Sequence, residues 1–595
     1  MRAYFGATLI ALYLSVLTRG VNAQEIIARY DGATLQNIHG VDVLYLNGTH
    51  NQMMNQHAYL LREKIRDGVI PVMATAVKRG LTNATGSGAL SDVALALINN
   101  TITNRMIDNI PARYKESYSL LAKTTGIEHK KVLEGALALS INYLILPLIV
   151  SDNKSMTMMG PSCSGFMKWG PLTKTGKMIM ARNWDFPLNG YADRDPLVTY
   201  FEPADGQRYM TFGSPGIHNE VIQGVNSSGI FVGLHTSQST SVSRNGVSIL
   251  HIMHEIIRLA TSFDHAVQIA KSMKAEAGWN ISVASMREQR AGTIEVTSEK
   301  VTVRESYDHK HIQTNHFISE SMRPLQLYVN KSIASDSEAR YRQLETRLSS
   351  DEPIGFESAI EILADQNDPL LGRRVSLGNT VSVHTSLQSL VVDEGSQAAY
   401  LSVDLAPSAH GRFAKFSLPF LSNERILEIN SAEQEPISQT QKEMLPGHWK
   451  TAMQEFIKAK VAYEISLNNE VSWSHLEKAV AEDQDNSHIR YVAAMIALKT
   501  GRKTISEEYL RLLLNAEDLQ RKHLSHFFLA RIYAAEGKVA EASLLIDALL
   551  GQDLIDIKLK NATIKMKKKL AADGEYRFDF DKLNILFQQA DHINY

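Results

Sequence analysis

The chain has 595 residues, 44% hydrophobic and 21% charged, with 35 Gly, 16 Pro and one Cys. That length fits roughly two to four domains with a large core, and the composition excludes wholesale disorder and collagen-like repetition. A net charge of −2 supplies no basic field for nucleic acid, and the single cysteine excludes an intrachain disulfide or a Cys-rich metal site.

Residues 1–23 place Arg2 before an apolar stretch over 4–17 and a small-x-small end over 21–23. This is the layout of a cleavable secretory signal, and the apolar stretch is shorter than the ~20 residues of a membrane span. It predicts a secreted or periplasmic protein, with a eukaryotic secretory or lysosomal route equally open; an uncleaved anchor is the alternative. Eight Asn-x-Ser/Thr sequons, at Asn47, Asn83, Asn99, Asn153, Asn226, Asn280, Asn330 and Asn561, are a weak pointer to glycosylation. A second apolar run over 135–150 is broken by Ser140, Asn142 and Pro147, so it reads as a buried core helix and no stable membrane span.

From 24 to 162 the pattern is largely helical. From 163 to 425 short alternating segments, such as KMIMARNWDF, GIFVGLHTS and SLQSLVVDEGSQAAYLSVDL, read as strands, with helical SILHIMHEIIRLATSFDHAVQIAKSM between them. Runs of strands with paired helices predict an α+β layered sandwich. A polar linker over 426–447 leads to an all-α region over 448–595. There Gly501 and Gly537 align 36 residues apart in helix–turn–helix units. The region resembles tetratricopeptide repeats, whose period is about 34 residues, and such repeats would offer a protein partner a concave surface. A generic helical bundle is the alternative.

Cys163 lies in GPSCSGF, where helical texture gives way to strands. Turn-forming neighbours predict an accessible thiol on a tight bend. In an exported chain a lone cysteine points to a working thiol. Downstream, Ala181-Arg182-Asn183-Trp184-Asp185 follows a turn over 174–177, so two strands would bring Arg182 and Asp185 back beside Cys163. A guanidinium there favours thiolate, and a carboxylate can orient an amine.

With these residues in this order, the chain resembles the N-terminal-nucleophile (Ntn) hydrolases of the choloylglycine hydrolase and acyl-CoA:6-aminopenicillanic acid acyltransferase (peptidase C45-like) kind. The resemblance covers roughly 30–425. It rests on Cys163, on ARNWD, and on Gly224-Val225-Asn226-Ser227-Ser228-Gly229-Ile230 with the following Val232-Gly233-Leu234. Thr314-Asn315-His316-Phe317 and Ser335-Asp336-Ser337-Glu338-Ala339-Arg340-Tyr341 complete it.

The resemblance implies a four-layer αββα sandwich with a helical pro-segment over 24–162 and a catalytic chain starting at Cys163 after self-cleavage of the bond from Ser162. It implies a small N-acyl amide substrate, hydrolysed or transferred, with no cofactor and no metal. Cys163 would be the nucleophile and its freed amine the base. Asn315 would donate to the oxyanion, and Asp185 would hold the amine. Arg182 would support the thiolate, and Arg340 would anchor an ion-pair network. Asn226, His235 and His316 are candidate substrate or oxyanion contacts. His235 stands where bile-salt-type members carry Asn, which argues against bile-salt specificity. A Cys–His reading of the papain type lacks its local signature, and neither HExxH nor GxxxxGK[ST] occurs. An inactive Ntn-like domain in a repeat-bearing binding protein, and an Ntn dipeptidase or lipid deacylase, are the competing functions.

Overall fold

The structure, a computed structural model, describes residues 25–85, 88–150, 162–327, 331–422, 445–553, 555–573 and short stretches as far as 592. The signal-like segment over 1–23, Asn153, Asn330 and most of the 426–447 linker lie outside the described residues.

The chain opens with β1 (Glu25–Tyr30), β2 (Ala33–Ile38) and β3 (Val41–Gly48), so the helical expectation for 24–162 holds only from His50 onward. The missed signal is a pair of two-residue turns. Asp31-Gly32 and His39-Gly40 all take positive φ, the geometry that tight hairpins require. Helices follow, among them His50–Leu60, Ala112–Thr125 and His129–Val150. The second apolar run is thus the C-terminal part of the last of these. No helix among the described residues is long and apolar enough to cross a membrane.

Next come β4 (Ser164–Lys168), β5 (Ile179–Asp185), β6 (Leu197–Pro203), β7 (Tyr209–Gly213), β8 (Gln223–Asn226) and β9 (Ile230–Thr236). Helices Ile249–Leu259 and Phe263–Ser272 precede β10 (Trp279–Ser285), β11 (Arg290–Val296), β12 (Val301–Ser306) and β13 (Lys310–Gln313). Helices Lys331–Arg347 and Phe356–Leu363 lead to the short pair β14 (Asn367–Asp368) and β15 (Arg373–Arg374). The sandwich closes with β16 (Ser386–Asp393), β17 (Ala398–Ser402) and β18 (Phe413–Ser417).

Ten strands form one sheet in the order β1-β2-β3-β6-β7-β8-β9-β10-β11-β12, and six form another, β13-β4-β5-β16-β17-β18. Strand alternation sorts the side chains into layers. On β3, Val41, Val43 and Tyr45 face Met180, Leu390 and Val392 of the other sheet in a shared core, while Leu44 and Leu46 pack under the helices. On the far side, Ile179, Ala181 and Val391 pack against Leu344, Ile360 and Leu363 of the outer helices. The result is an αββα sandwich. Residues 25–48 are structural members of it, since β3 pairs in parallel with β6.

The C-terminal region has seven helices among its described residues, from Gly447–Glu464 to Ile557–Asp573, and ends on a two-strand pairing of Ile585–Leu586 with Asp591–His592. The aligned Gly501 and Gly537 both take positive φ just past helices Ser487–Lys499 and Leu519–Ala535, where a helix must stop and the chain reverse.

Between the helices and the ten-stranded sheet lies a buried polar seam. Tyr114 and Tyr209 hydroxyls reach the two ring nitrogens of His254 at 2.7 and 3.0 Å, and Tyr118 reaches His251 at 2.7 Å. Burial, above all, holds ten histidines (50, 57, 218, 235, 251, 254, 311, 316, 384 and 488) below 6.5. It also pushes Asp185, Glu220 and Glu276 up to about 7 and Asp193 to about 6. The histidines bind protons more readily when unfolded, so they cost stability as pH falls below 6.5. The carboxyls lose protons more readily when unfolded, so they cost stability as pH rises from the usual carboxylate range through about 7. The ten histidines outnumber the six raised carboxyls, Asp42 and Glu134 being the other two. The thermal midpoint should therefore rise between about pH 4.5 and 6.5 and level off near 7; a midpoint that fell across that range would contradict the buried, neutral histidines.

Candidate active site

Cys163 immediately precedes β4, whose Ser164 pairs with Asn183 of β5, so the thiol lies beside the end of the strand carrying Arg182 and Asp185. The expected accessible bend is not what forms. Cys163 is buried, because the helices Val69–Ala74 and His129–Val150 close over this edge with Val69, Val72, Met73 and Ala138.

Arg182 and Asp185 are three residues apart on one strand, so they point to opposite faces. Arg182 enters the space between the sheets. Its Nη2 donates to Cys163 Sγ at 3.2 Å and to the Leu234 carbonyl, and its Nη1 donates to Gln223 Oε1 at 2.8 Å. The Gly-Leu element of β9 has its reason here: a Cβ on Gly233 would sit 3.0 Å from Arg182 Cδ. Burial pushes the Cys163 thiol up, with Arg182 opposing that shift and Asp185 adding to it. The guanidinium moderates the cost of a buried thiolate without cancelling it.

Asn315 and Arg340 grip the backbone of Cys163. Asn315 Oδ1 accepts the Cys163 N–H at 2.6 Å and an Arg340 Nη2 proton at 3.0 Å. Asn315 Nδ2 donates to the Thr236 carbonyl at 3.1 Å and to its hydroxyl at 3.0 Å. Two donors on one side and two acceptors on the other fix the orientation of the amide. Both Nδ2 protons are thus engaged, and the expected oxyanion donor acts here as the holder of the Cys163 nitrogen. Arg340 Nη1 donates to the Cys163 carbonyl and to Ser164 Oγ, both at 2.9 Å, and its Nη2 pairs with Asp336 at 2.9 Å. Ser162 Oγ also donates to Asp336, at 3.3 Å. Ser337 Oγ accepts the Asn315 N–H at 2.8 Å, which seats the Thr-Asn-His turn on the helix carrying Arg340.

Asp185 is fully buried beside this cluster, and among the described residues its carboxyl finds no well-shaped hydrogen bond. Burial raises it to about 7, with Arg340, Ser386 and Arg182 pulling the other way. It is thus available to an amine or a proton.

The three further candidates separate. Asn226 spends its Nδ2 on the Ile257 and Ala260 carbonyls and its Oδ1 on the Ser228 and Ile230 amides, so it builds the β8–β9 turn and has nothing left for substrate. His316 Nδ1 meets Ser337 Oγ at 2.8 Å, and its ring packs on Tyr341. His235 is buried against Gly165, where a Cβ would approach within 3.1 Å of its ring. Neither histidine hydrogen-bonds the sulfur, whose partners are Arg182 and the Asp185 carbonyl. Sequence reasoning missed Asp336, Ser337 and Gln223. Only Asp336 carried a signal, its four-residue spacing from Arg340 on a helix.

A cavity opens on the thiol. Val69, Met73, Leu139, Trp184, Phe186 and Ile222 make its walls apolar, and Arg182, Thr236 and Glu220 interrupt them. Its lining draws on residues before and after Cys163. Such a cavity accepts an apolar chain whose polar end meets Cys163.

Arg340 neutralises a buried Asp336, so Arg340→Met should destabilise the chain by about 3–5 kcal/mol in denaturant unfolding. Asp336→Asn in the same chain should recover part of that loss; an unchanged midpoint in the single variant would contradict the pairing.

Residues 172–404 match the family model of acyl-coenzyme A:6-aminopenicillanic acid acyl-transferase. No curated protein matches the chain. Among solved structures it is similar to an N-acylethanolamine-hydrolyzing acid amidase ortholog from Caenorhabditis elegans. That likeness has 14% identity and a TM-score of 0.28, covering 39% of this chain and 93% of that one. It is also similar to a mutant conjugated bile acid hydrolase from Clostridium perfringens, at 10% identity and a TM-score of 0.28, covering 48% of this chain and 98% of that one. Likeness at that level says nothing of what this chain acts on. With Cys163 ahead of an inner strand of an αββα sandwich, residues 172–404 carry the acyl-coenzyme A:6-aminopenicillanic acid acyl-transferase family pattern.

Proposed function

We propose that this chain is an exported, self-processing amidohydrolase or acyltransferase whose nucleophile is Cys163 and whose substrates are N-acyl amides. One observation carries the reading. The backbone of Cys163 is pinned at its N–H by Asn315 and at its carbonyl by Arg340, while its sulfur meets Arg182 at the end of an apolar cavity.

In the first reaction Cys163 Sγ bonds to the Ser162 carbonyl carbon. The bond from that carbon to the Cys163 nitrogen breaks, and the nitrogen takes the thiol proton. Water then opens the thioester, leaving a carboxylate on Ser162 and a free amine on Cys163. Asn315 Oδ1 already accepts from that nitrogen, so it would orient the new amine. An α-amine with a reference pKa of about 7.7–8.0 can take the thiol proton near neutrality. Base and nucleophile then belong to one residue.

In the second reaction the acyl chain fills the cavity and Cys163 attacks the amide carbonyl. The leaving amine departs with a proton, and the acyl thioester passes to water or to another amine. Asp185, buried and without a good partner, is placed to hold the catalytic amine.

Purified protein offered N-acyl amides of varied chain length should release amine and acid, or exchange one amine for another. Cys163→Ala should do neither, under conditions where its thermal midpoint matches the parent. Turnover that persists in Cys163→Ala would refute the assignment.

A further inference from the structure

Two glutamines lie in the apolar core between the sheets. On β8, Gln223 shares its strand face with Val225, and on β16, Gln388 shares its face with Leu390 and Val392. Both glutamines are fully buried. A primary amide in such a place is costly unless its donors and acceptors are met, and leucine or methionine would fill the space without that cost.

Their hydrogen bonds form one directed chain. Arg182 Nη1 donates to Gln223 Oε1 at 2.8 Å, Gln223 Nε2 donates to Gln388 Oε1 at 3.4 Å, and Gln388 Nε2 donates to the Gly213 carbonyl at 2.5 Å. A guanidinium can only donate and a carbonyl can only accept, so the two ends fix which way each amide faces. The chain passes back and forth between the sheets, with Arg182 and Gln388 on β5 and β16 and with Gln223 and Gly213 on β8 and β7. Gln223 pairs with Gly233, whose missing side chain leaves room for the Arg182 stem. With Nη1 held in this way, Nη2 of the same guanidinium is set against Cys163 Sγ at 3.2 Å. The acceptor that holds Nη1 is neutral. A glutamate there would have the same shape and would answer the guanidinium with a full charge at hydrogen-bond distance.

We propose that Gln223, oriented by Gln388, is a positioning residue of the site: it holds the Arg182 guanidinium against the Cys163 sulfur through an uncharged acceptor that leaves the cation to act on the thiol. The proposal rests on the reading of Cys163 as nucleophile and adds two residues that act through Arg182. Neither glutamine is among the residues that line the cavity. The charged and titratable groups that face the thiol are Arg182 and Asp185 of β5, Arg340 with Asp336 of the helix Lys331–Arg347, His235 of β9, Tyr143 of the helix His129–Val150 and Glu220 on the cavity wall. Substitution at 223 or 388 replaces none of them.

The test uses the full-length protein with Gln223→Glu, Gln223→Met and Gln388→Met. Iodoacetamide alkylates the single cysteine, and intact mass gives the rate against pH. In Gln223→Glu, the isosteric acid, the profile should move up by about one pH unit, which is about a tenfold slower rate at a fixed pH below the thiol's titration. The limiting rate at high pH should be kept. Gln223→Met and Gln388→Met should move the profile the same way and less. In amide turnover all three should lower kcat and leave KM near the parent's, because the cavity walls are unchanged. Where the substitutions at 223 do not fold, Gln388→Met decides. An unmoved profile in Gln223→Glu, or in Gln388→Met where it alone folds, would overturn the proposal. An equal loss at every pH would do the same, since a merely structural glutamine leaves the thiol's titration where it was. If the parent hydrolyses no amide, the nucleophile reading fails, and the alkylation profiles still decide the role of Gln223.

Discussion

Two arginines buried within reach of one cysteine set the terms for the rest of this structure. Removing a guanidinium from water is expensive unless each proton finds an acceptor. Arg340 meets that condition with a carboxylate, Asp336, and with the carbonyl and hydroxyl of the Cys163–Ser164 backbone turn. Arg182 meets it only in part: an amide oxygen, the sulfur and a carbonyl accept from its two Nη atoms, while its Nε has no acceptor among the described residues. Cys163 and Asp185 are the groups beside it that can carry a counter-charge. Its own charge opposes the rise that burial imposes on the Cys163 thiol without cancelling it, and the two sheets supply the dry space.

That constraint explains why small residues recur around the site. Gly233 leaves room for the Arg182 stem, and Gly165 leaves room for the His235 ring. It also explains the role of the segment before Cys163. Residues 25–48 complete the ten-stranded sheet, and the following helices cover the thiol and line the cavity. The part that the resemblance reads as a pro-segment is, in the folded chain, a wall of the site and a layer of the sandwich.

Much of the site was legible in the sequence because strand alternation and short turns translate directly into position. Cys163, Arg182 and Asp185 come together through one strand–turn–strand unit, and Asn315 and Arg340 arrive through motifs of fixed internal spacing. What could not be read was the direction of each side chain. Asn226 looks like a polar residue in a conserved-looking turn, yet all its hydrogen-bonding capacity goes to backbone. Asn315 faces the Cys163 nitrogen and Thr236, a distinction set by partners more than seventy residues away. The three N-terminal strands were obscured by the strong helical texture after His50, although Asp31-Gly32 marked the first hairpin. The docking of the helix Gly447–Glu464 on the sandwich, where Phe456 meets His384, follows from packing between distant segments, for which the sequence holds no local signal.

The central claim is that the chain cuts itself between Ser162 and Cys163 and works from the Cys163 amine so freed. N-terminal sequencing of the protein after denaturing separation addresses this directly. The account predicts two fragments, the larger reading Cys-Ser-Gly-Phe-Met-Lys-Trp-Gly from Cys163. A single uncut polypeptide that nevertheless hydrolyses N-acyl amides would contradict it.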